Sequence, residues 1–203
     1  MPNWCDNTVS IIASPEAIRE ITEIANRVIG DEAKKNFCQE LLPMPEGLVG
    51  TVSPSNDPIR KAELTALYGA GDWWDWQIAN WGVKWGDSEF RITEVTDNCL
   101  SLYFQTPWGP PEPVFRYISR LWSAYVVVTY SGEVDCPGVL EYDADGGESE
   151  KHWSGGLDHL VGRPEPDYTD DDWCDWLMER DEAVSEFLFR NHETLVNGLR
   201  LAL

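Results

Sequence analysis

The sequence predicts an α+β protein of the ferredoxin-like class, a split βαβ sandwich whose helices cover one face of a sheet. Segments rich in β-branched residues alternate with segments whose apolar residues recur at helical spacing. They follow the order strand, helix, strand, insertion, strand, helix, strand. The chain has 203 residues, 42% of them hydrophobic, which is enough to bury a sizeable core without metals or disulfides.

The first half of this order begins with a strand at residues 7–14, "NTVSIIAS", which is rich in β-branched residues. Ser14 and Pro15 predict the cap and first residue of a helix that reaches about residue 29, where Gly30 ends it. We predict a short second strand at residues 36–45, stopped by its prolines. The insertion then covers about residues 46–87, with helical pieces that break at residues 69–71.

The second half contains strands at residues 89–95 and 98–106, joined by a turn at Asp97 and Asn98. A helix at residues 111–123, a strand at residues 125–132 and a hairpin turning at residues 145–147 complete a domain of residues 1–154. Residues 155–203 form an acidic linker and one or two C-terminal helices, the first capped by Thr169. Their apolar stripe must be covered by the main domain or by another chain.

The net charge of −21 is concentrated in residues 133–186, which carry 18 acidic residues and 3 basic ones. A field of this sign repels phosphate groups, so direct nucleic-acid binding is disfavoured and a basic protein partner is expected. The alternative is an acidic surface that serves solubility.

The sequence also indicates a cytoplasmic location. No apolar run is long enough to span a membrane, and the start lacks the layout of a signal peptide. The five cysteines are odd in number and widely separated, which is typical of a reducing compartment.

Residues 73–85 contain five of the eleven tryptophans. They could form a stacking platform for a sugar, a base or a peptide, with neighbouring polar groups adding contacts. The candidate ligand-binding residues are Trp74, Asn80, Trp81, Lys84 and Trp85. The alternative is that the indoles hold the insertion on the sheet by burying apolar area.

The acidic tail is a second candidate site. Its carboxylates would speed the encounter with a basic protein, and its aromatic residues would anchor the complex. The candidate partner-binding residues are Tyr168, Asp170, Asp171, Asp172, Trp173, Asp175 and Trp176. The alternative is a solvated face of terminal helices.

The sequence predicts no catalytic residue, no metal site and no cofactor. His152 and His159 are seven positions apart, no cysteine pair has zinc-like spacing, and "DADGGESE" is an incomplete calcium loop that fits a hairpin turn better. Neither a nucleophile motif nor a phosphate-binding loop is present. Asp72 and Asp75, beside tryptophans, leave a hydrolase as a minor alternative.

Four strings occur in order: "MPNWCDN" at residues 1–7, "LLPMP" at 41–45, "NWGVKW" at 80–85 and "TPWGPP" at 106–111. On these the chain resembles the YubB-like proteins of phages and plasmids over residues 1–153, with Val83 where that family commonly has Thr. The resemblance implies a ferredoxin-like fold and a mobile-element setting. It transfers no catalytic residue, because that family has no settled activity.

These observations favour a non-enzymatic accessory protein of a phage or plasmid that binds a host or element-encoded protein. Its acidic surface would compete with nucleic acid, as in a counter-defence role. A small-ligand-binding module built on the tryptophan cluster is the alternative, and a hydrolase is a third. The sequence leaves the oligomeric state open.

Overall fold

A six-stranded antiparallel sheet forms the centre of the molecule. The computed structural model describes residues 3–30, 35–132, 137–152, 157, 160–161 and 170–202, with only the backbone of residues 152, 170, 171 and 202. The strands are β1 (Trp4–Ile12), β2 (Ser88–Val95), β3 (Cys99–Pro107), β4 (Tyr125–Gly132), β5 (Gly138–Tyr142) and β6 (Glu148–His152). Their order is β2-β3-β1-β4-β5-β6. The order of the first four strands confirms the ferredoxin-like class, and the β5–β6 hairpin extends the sheet as predicted.

Six α-helices and one short 3-10 helix accompany the sheet in the described part of the chain. The α-helices are α1 (Pro15–Gly30), α2 (Phe37–Leu41), α3 (Pro58–Tyr68), α4 (Trp73–Trp81), α5 (Glu112–Trp122) and α6 (Asp170–Ala202), and the 3-10 helix is Glu46–Leu48. The predicted cap of α1 is confirmed, because the Ser14 hydroxyl accepts a hydrogen bond of 3.3 Å from the Ala17 amide. Thr169, the predicted cap of α6, lies outside the described residues.

Residues 36–45 do not form the predicted strand, because they contain α2. The Asn36 side chain accepts a hydrogen bond from the Gln39 amide at 2.8 Å. The Asp87 carboxylate accepts two more, from the amides of Phe37 at 3.0 Å and Cys38 at 2.8 Å. These acceptors satisfy N–H groups that have no partner within a helix, so they favour a helix start at this point. The tryptophan-rich insertion therefore lies between α1 and β2, and β2 is the second strand of the fold.

The main core lies between the sheet and the helices α1 and α5. It is filled by aliphatic side chains from β1, β3 and β4 and from the buried faces of both helices. Five aromatic rings extend through it, with neighbouring ring centres 4.9 to 6.4 Å apart. These rings belong to Phe37, Phe90, Phe104, Phe115 and Tyr142. The α2 helix thus contributes Phe37 to the same core as the sheet.

The C-terminal segment forms one long helix, α6, that covers the opposite face of the sheet. Buried side chains recur every four residues or so along it, and they belong to Trp176, Val184, Leu188, His192 and Val196. Val196 packs with Ile12 of β1, Cys99 of β3 and Val127 of β4. The C-terminal end of the stripe is therefore covered by the chain's own sheet, which gives the domain three layers, whereas Val184 and Leu188 pack on Leu157.

A buried polar cluster lies in this α6 interface, and the sequence did not reveal it. Nε2 of His192 lies 2.8 Å from the Ser10 hydroxyl, and Nδ1 lies 3.4 Å from the Thr129 hydroxyl. The Ser10 hydroxyl is also 2.9 Å from that of Ser101. Burial lowers the pKa of His192 to about 4, and the positive charge of Arg200 acts in the same direction.

The β5–β6 turn contains the acidic string "DADGGESE". Asp143 Oδ1 accepts hydrogen bonds from the amides of Asp145 at 2.9 Å and Gly147 at 2.7 Å. Gly146 has a φ of 79°, a value that favours glycine. The string therefore forms the predicted hairpin turn.

Four of the five cysteines lie in the described part of the chain, and all four are free thiols. Cys5, Cys38 and Cys99 are buried, whereas Cys174 is exposed. Among the described helices, none combines the length and the apolar character needed to cross a membrane.

Candidate functional site

The insertion is built around two short helices, α3 and α4, that begin and end with local signals. Asp57 Oδ1 caps α3 by accepting hydrogen bonds of 3.0 Å from the amides of Ile59 and Arg60. Asp72 Oδ1 caps α4 in the same way by accepting hydrogen bonds from the amides of Trp74 at 3.0 Å and Asp75 at 2.9 Å. Both helices end at a glycine with positive φ, Gly69 and Gly82. These caps fix the start and the end of α4, and so the positions of its tryptophans.

The tryptophans of α4 divide between the core and the surface. Trp76 and Trp81 are buried, with their rings nearly perpendicular and their centres 5.6 Å apart. The Trp81 indole N–H donates a hydrogen bond of 2.9 Å to the carbonyl of Leu42. Trp74, by contrast, is 42% exposed. Packing of the insertion therefore depends on Trp76 and Trp81, and Trp74 is free for another role.

A cavity of about 530 Å³ opens beside α3 and α4. Its aromatic wall consists of Trp73, Trp74 and Trp108. Its charged lining consists of Lys61, Asp72, Asp75 and Lys84. The cavity thus brings Trp108, from the loop after β3, against the insertion.

Trp108 is held in position by its backbone and by neighbouring side chains. Its φ of 69° is unusual for a residue other than glycine, and its amide donates a hydrogen bond of 2.8 Å to the Asn3 carbonyl. Its ring centre lies 5.7 Å from that of Trp85. Lys84 Nζ lies 4.3 Å from the Trp85 ring centre and 5.9 Å from that of Trp108, within cation–π range.

Asp72 lines this cavity, but its unused acceptor is buried. The side chain is only 1% exposed, and Oδ1 is committed to capping α4. Oδ2 is buried and accepts no hydrogen bond from any residue that the structure describes. A buried carboxylate oxygen without a donor is costly, and because this oxygen has almost no accessible surface, a molecule in the cavity does not reach it.

The remaining charges of the cavity are partly paired. Lys61 Nζ lies 3.1 Å from Asp75 Oδ2, and both side chains are about 40% exposed. Lys84 forms no ion pair with a carboxylate in the described ranges. The two aspartates named for a hydrolase thus both line the cavity, one as a helix cap and the other beside a lysine.

Of the five residues proposed for ligand binding, two line this cavity, Trp74 and Lys84, and Trp85 stacks beside it. Trp81 lies in the core. Asn80 donates its side-chain hydrogen bond to the Trp76 carbonyl at 2.9 Å and lines a separate groove along α5. Trp108 was missed as a site residue, although its string "TPWGPP" was conspicuous.

Six of the seven candidate partner-binding residues lie at the start of α6. Asp172, Trp173 and Asp175 are exposed, and the Trp173 ring stacks on buried Trp176 with centres 5.1 Å apart. The side chains of Asp170 and Asp171 are not described, and Tyr168 lies outside the described residues. The described members therefore present one exposed indole among carboxylates.

A second polar cluster lies on the sheet face beside α6, and the sequence did not single it out. Asp6 accepts hydrogen bonds from the Tyr103 hydroxyl and, at 3.0 Å, from the Gln105 side chain. The Arg91 guanidinium lies 3.7 Å from the Tyr103 ring centre. Burial, with the Asp6 carboxylate adding to it, raises the pKa of Tyr103 to about 12. The alternation of residues 101, 103 and 105 is the sequence signal for this face.

Among the residues that the structure describes, no group of three or more histidine, cysteine, aspartate or glutamate side chains could hold a metal ion. His159 lies outside them, and the side chain of His152 is not described.

The sheet order and the flanking helices define a ferredoxin-like protein with an added cavity. The family model described as the ferredoxin-like domain in Api92-like protein matches residues 80–183, just over half of the chain. The chain belongs to this family of ferredoxin-like domains. The match begins at the end of α4 and extends into α6.

Among solved structures, the chain is similar to the crystal structure of a protein api92 from Yersinia pseudotuberculosis. The identity is 10%, the TM-score is 0.44, and the match covers 77% of this chain and 99% of that chain. No curated protein sequence matches the chain.

Proposed function

We propose that this protein is a binding protein without catalytic activity, and that the cavity beside α3 and α4 takes a small molecule. The observation that carries the proposal is a cavity of about 530 Å³ that is lined by the half-exposed indoles of Trp74 and Trp108 and by Lys84. A concave surface that combines aromatic side chains with a few polar groups is the usual form of a ligand site.

The capping geometry supports binding over catalysis at this position. Asp72 is fixed by the hydrogen bonds that its Oδ1 accepts from two amides, and Asp75 forms an ion pair with Lys61. Groups held in this way can orient a ligand, because they offer a fixed acceptor and a fixed donor. Both carboxylates are thus engaged in structural contacts, Asp72 with the start of α4 and Asp75 with Lys61.

The proposal is tested with a set of neutral saccharides, nucleosides and amino acids, observed by saturation-transfer NMR. We expect at least one class to give signals that are lost in Trp74→Ala and in Trp108→Ala. Trp173→Ala is the matched control, since Trp173 and Trp108 are both 47% exposed and Trp173 lies on α6. No signal from any class, or equal loss in the control, would contradict a ligand site here.

A second candidate function is recognition of a basic protein through the start of α6. It is supported by the exposed Trp173, stacked on Trp176 among carboxylates. Aromatic anchors surrounded by charge are typical of protein interfaces, and charge of one sign attracts a partner of the other. Because nucleic acid is also negatively charged, the acidic surface would compete with it for the basic partner.

The test is capture of partners from a lysate at low and moderate salt. We expect Asp172→Asn with Asp175→Asn to lose a salt-sensitive basic partner that the unmodified protein retains. Glu23→Gln with Asp97→Asn removes the same charge from exposed positions elsewhere and should retain it. Equal retention by both double variants would exclude this surface.

The setting that we propose for either function is a phage or plasmid, with the protein in the cytoplasm. The resemblance to YubB-like proteins supports the first part. The free thiols of Cys5, Cys38, Cys99 and Cys174 fit a reducing compartment and support the second.

A further inference from the structure

We infer that the ligand of the cavity is an organic anion, whose carboxylate or phosphate group binds at the ammonium group of Lys84. This inference rests on the proposed ligand-binding function and names the charge class of the ligand. It concerns the charged group alone, because a sugar, a nucleoside and an amino acid derivative can each carry one.

Lys84 supplies a positive charge that no carboxylate neutralises among the residues that the structure describes. Its ammonium lies 4.3 Å from the Trp85 ring centre and 5.9 Å from that of Trp108, and it forms no ion pair there. The other lysine of the lining, Lys61, lies 3.1 Å from Asp75 Oδ2, so these two charges cancel. A ligand in the cavity therefore meets one uncompensated charge, and that charge is positive.

The negative charge of Asp72 does not offset Lys84 at the surface of the cavity. Asp72 is 1% exposed, and its Oδ1 accepts hydrogen bonds from the amides of Trp74 and Asp75 at the start of α4. That end of a helix carries a partial positive charge, which stabilises the carboxylate where it is. The Asp72 carboxylate is thus compensated by α4, and a ligand does not contact it.

The uncommitted polar groups of the lining are mostly hydrogen-bond donors. Ammonium and indole N–H groups only donate hydrogen bonds. Those of Trp73, Trp74, Trp108 and Lys84 donate to no residue that the structure describes. A carboxylate only accepts hydrogen bonds, and a phosphate group offers three strong acceptor oxygens. An anionic group therefore suits this lining in hydrogen bonding as well as in charge.

The acidic excess of the chain comes from a different part of the sequence. The described residues that line the cavity lie between positions 53 and 108, whereas the excess is concentrated in residues 133–186. At about 0.15 M salt, exposed charges are screened over about 8 Å. The charge in contact with the ligand, that of Lys84, then decides the preference.

The experiment is an NMR titration with pairs of compounds that differ in one charged group, followed by the indole N–H signals of the protein. The pairs are glucose and glucuronate, adenosine and adenosine monophosphate, and N-acetyltryptophan amide and N-acetyltryptophan. We expect at least one pair in which the anionic member binds about fivefold or more tightly than the neutral one, the strength of a good ion pair that is partly exposed. The pair that does so distinguishes a carboxylate from a phosphate ligand.

Substitutions assign the difference to Lys84. In Lys84→Gln the advantage of the anionic member should disappear, whereas Lys84→Arg should keep most of it, because the charge is retained. Arg190→Gln is the matched control, since it removes the same charge from α6, where Arg190 pairs with Glu186. It should leave the advantage unchanged. Thermal unfolding of each variant confirms that it is folded.

The outcomes separate this inference from the proposed function. Neutral members that bind as tightly as their anionic partners, or more tightly, would overturn the inference and leave the ligand site intact. An advantage that Lys84→Gln does not reduce would also overturn it, because another group would then bind the anion. Failure of every compound, including those of the broader NMR set, would overturn both.

Discussion

At the scale of single residues, tryptophans only a few positions apart in the chain have different roles. Trp76 and Trp81 hold α4 against the core, and Trp74 presents its indole to the cavity. Structure and binding can therefore be separated by substitution.

We predict that Trp81→Ala destabilises the protein by about 3 to 5 kcal/mol, because it leaves a large void and an unpaired Leu42 carbonyl. Trp108→Ala should change the free energy of unfolding by only about 1 kcal/mol, since it removes a half-exposed stack. Urea unfolding followed by circular dichroism measures both values. Equal losses in the two variants would contradict the division of the tryptophans.

At the scale of elements, the sequence predicted well where helix and strand signals are local. Ser14 caps α1 and glycines end α3 and α4, so these elements and their boundaries were predictable. The start of α2 was missed although Asn36 is a local cap, because α2 has only five residues and its other acceptor, Asp87, lies about fifty positions further along the chain. Distance along the chain also explains the missed Trp108. It follows β3 in the chain, and only the folded sheet brings it next to Trp85. Pairing between distant segments leaves no local pattern.

Asp87→Ala should therefore cost about 2 to 3 kcal/mol in the free energy of unfolding, because two buried amides lose their acceptor. Asp57→Ala is the control, since Asp57 accepts two amide hydrogen bonds of similar length at an exposed helix start. We expect it to cost about 1 kcal/mol. Urea unfolding at pH 7 compares them, and an Asp57 effect as large as that of Asp87 would contradict the account of α2.

The contact between α6 and the sheet should depend on pH through His192. Its folded pKa of about 4 lies below the ordinary value of about 6.5, so the unfolded chain binds the proton first as pH falls. The neutral histidine thus contributes full stability above about pH 6.5, and about 3 kcal/mol is lost as pH falls to 4. His192→Gln should flatten the unfolding free energy across this window relative to the unmodified protein. Parallel pH profiles for the two proteins would refute the assignment.

At the scale of the whole molecule, a ferredoxin-like sheet carries three additions: the insertion, the hairpin β5–β6 and the helix α6. The insertion and the loop after β3 create the cavity, and α6 closes the second face of the sheet. The fold class follows from the strand order, whereas the cavity depends on where distant loops meet. This difference explains why the class was predictable and the complete site was not.

The charge of −21 leads to a prediction for the whole molecule. Like charges repel more strongly in the compact state than in the unfolded chain, so screening should favour folding. We expect the thermal midpoint to rise as sodium chloride increases from about 0.01 to 0.15 M, where the screening length falls from about 30 to 8 Å. Differential scanning calorimetry at constant pH measures this, and a midpoint that falls with salt would show that attractive pairs dominate.

The most direct test of the central claim is saturation-transfer NMR of the neutral compound set with the unmodified protein, Trp108→Ala and Trp173→Ala. A ligand site at the cavity predicts signals that Trp108→Ala loses and Trp173→Ala keeps. Signals that survive in Trp108→Ala, or none in the unmodified protein, would contradict a ligand site at the cavity.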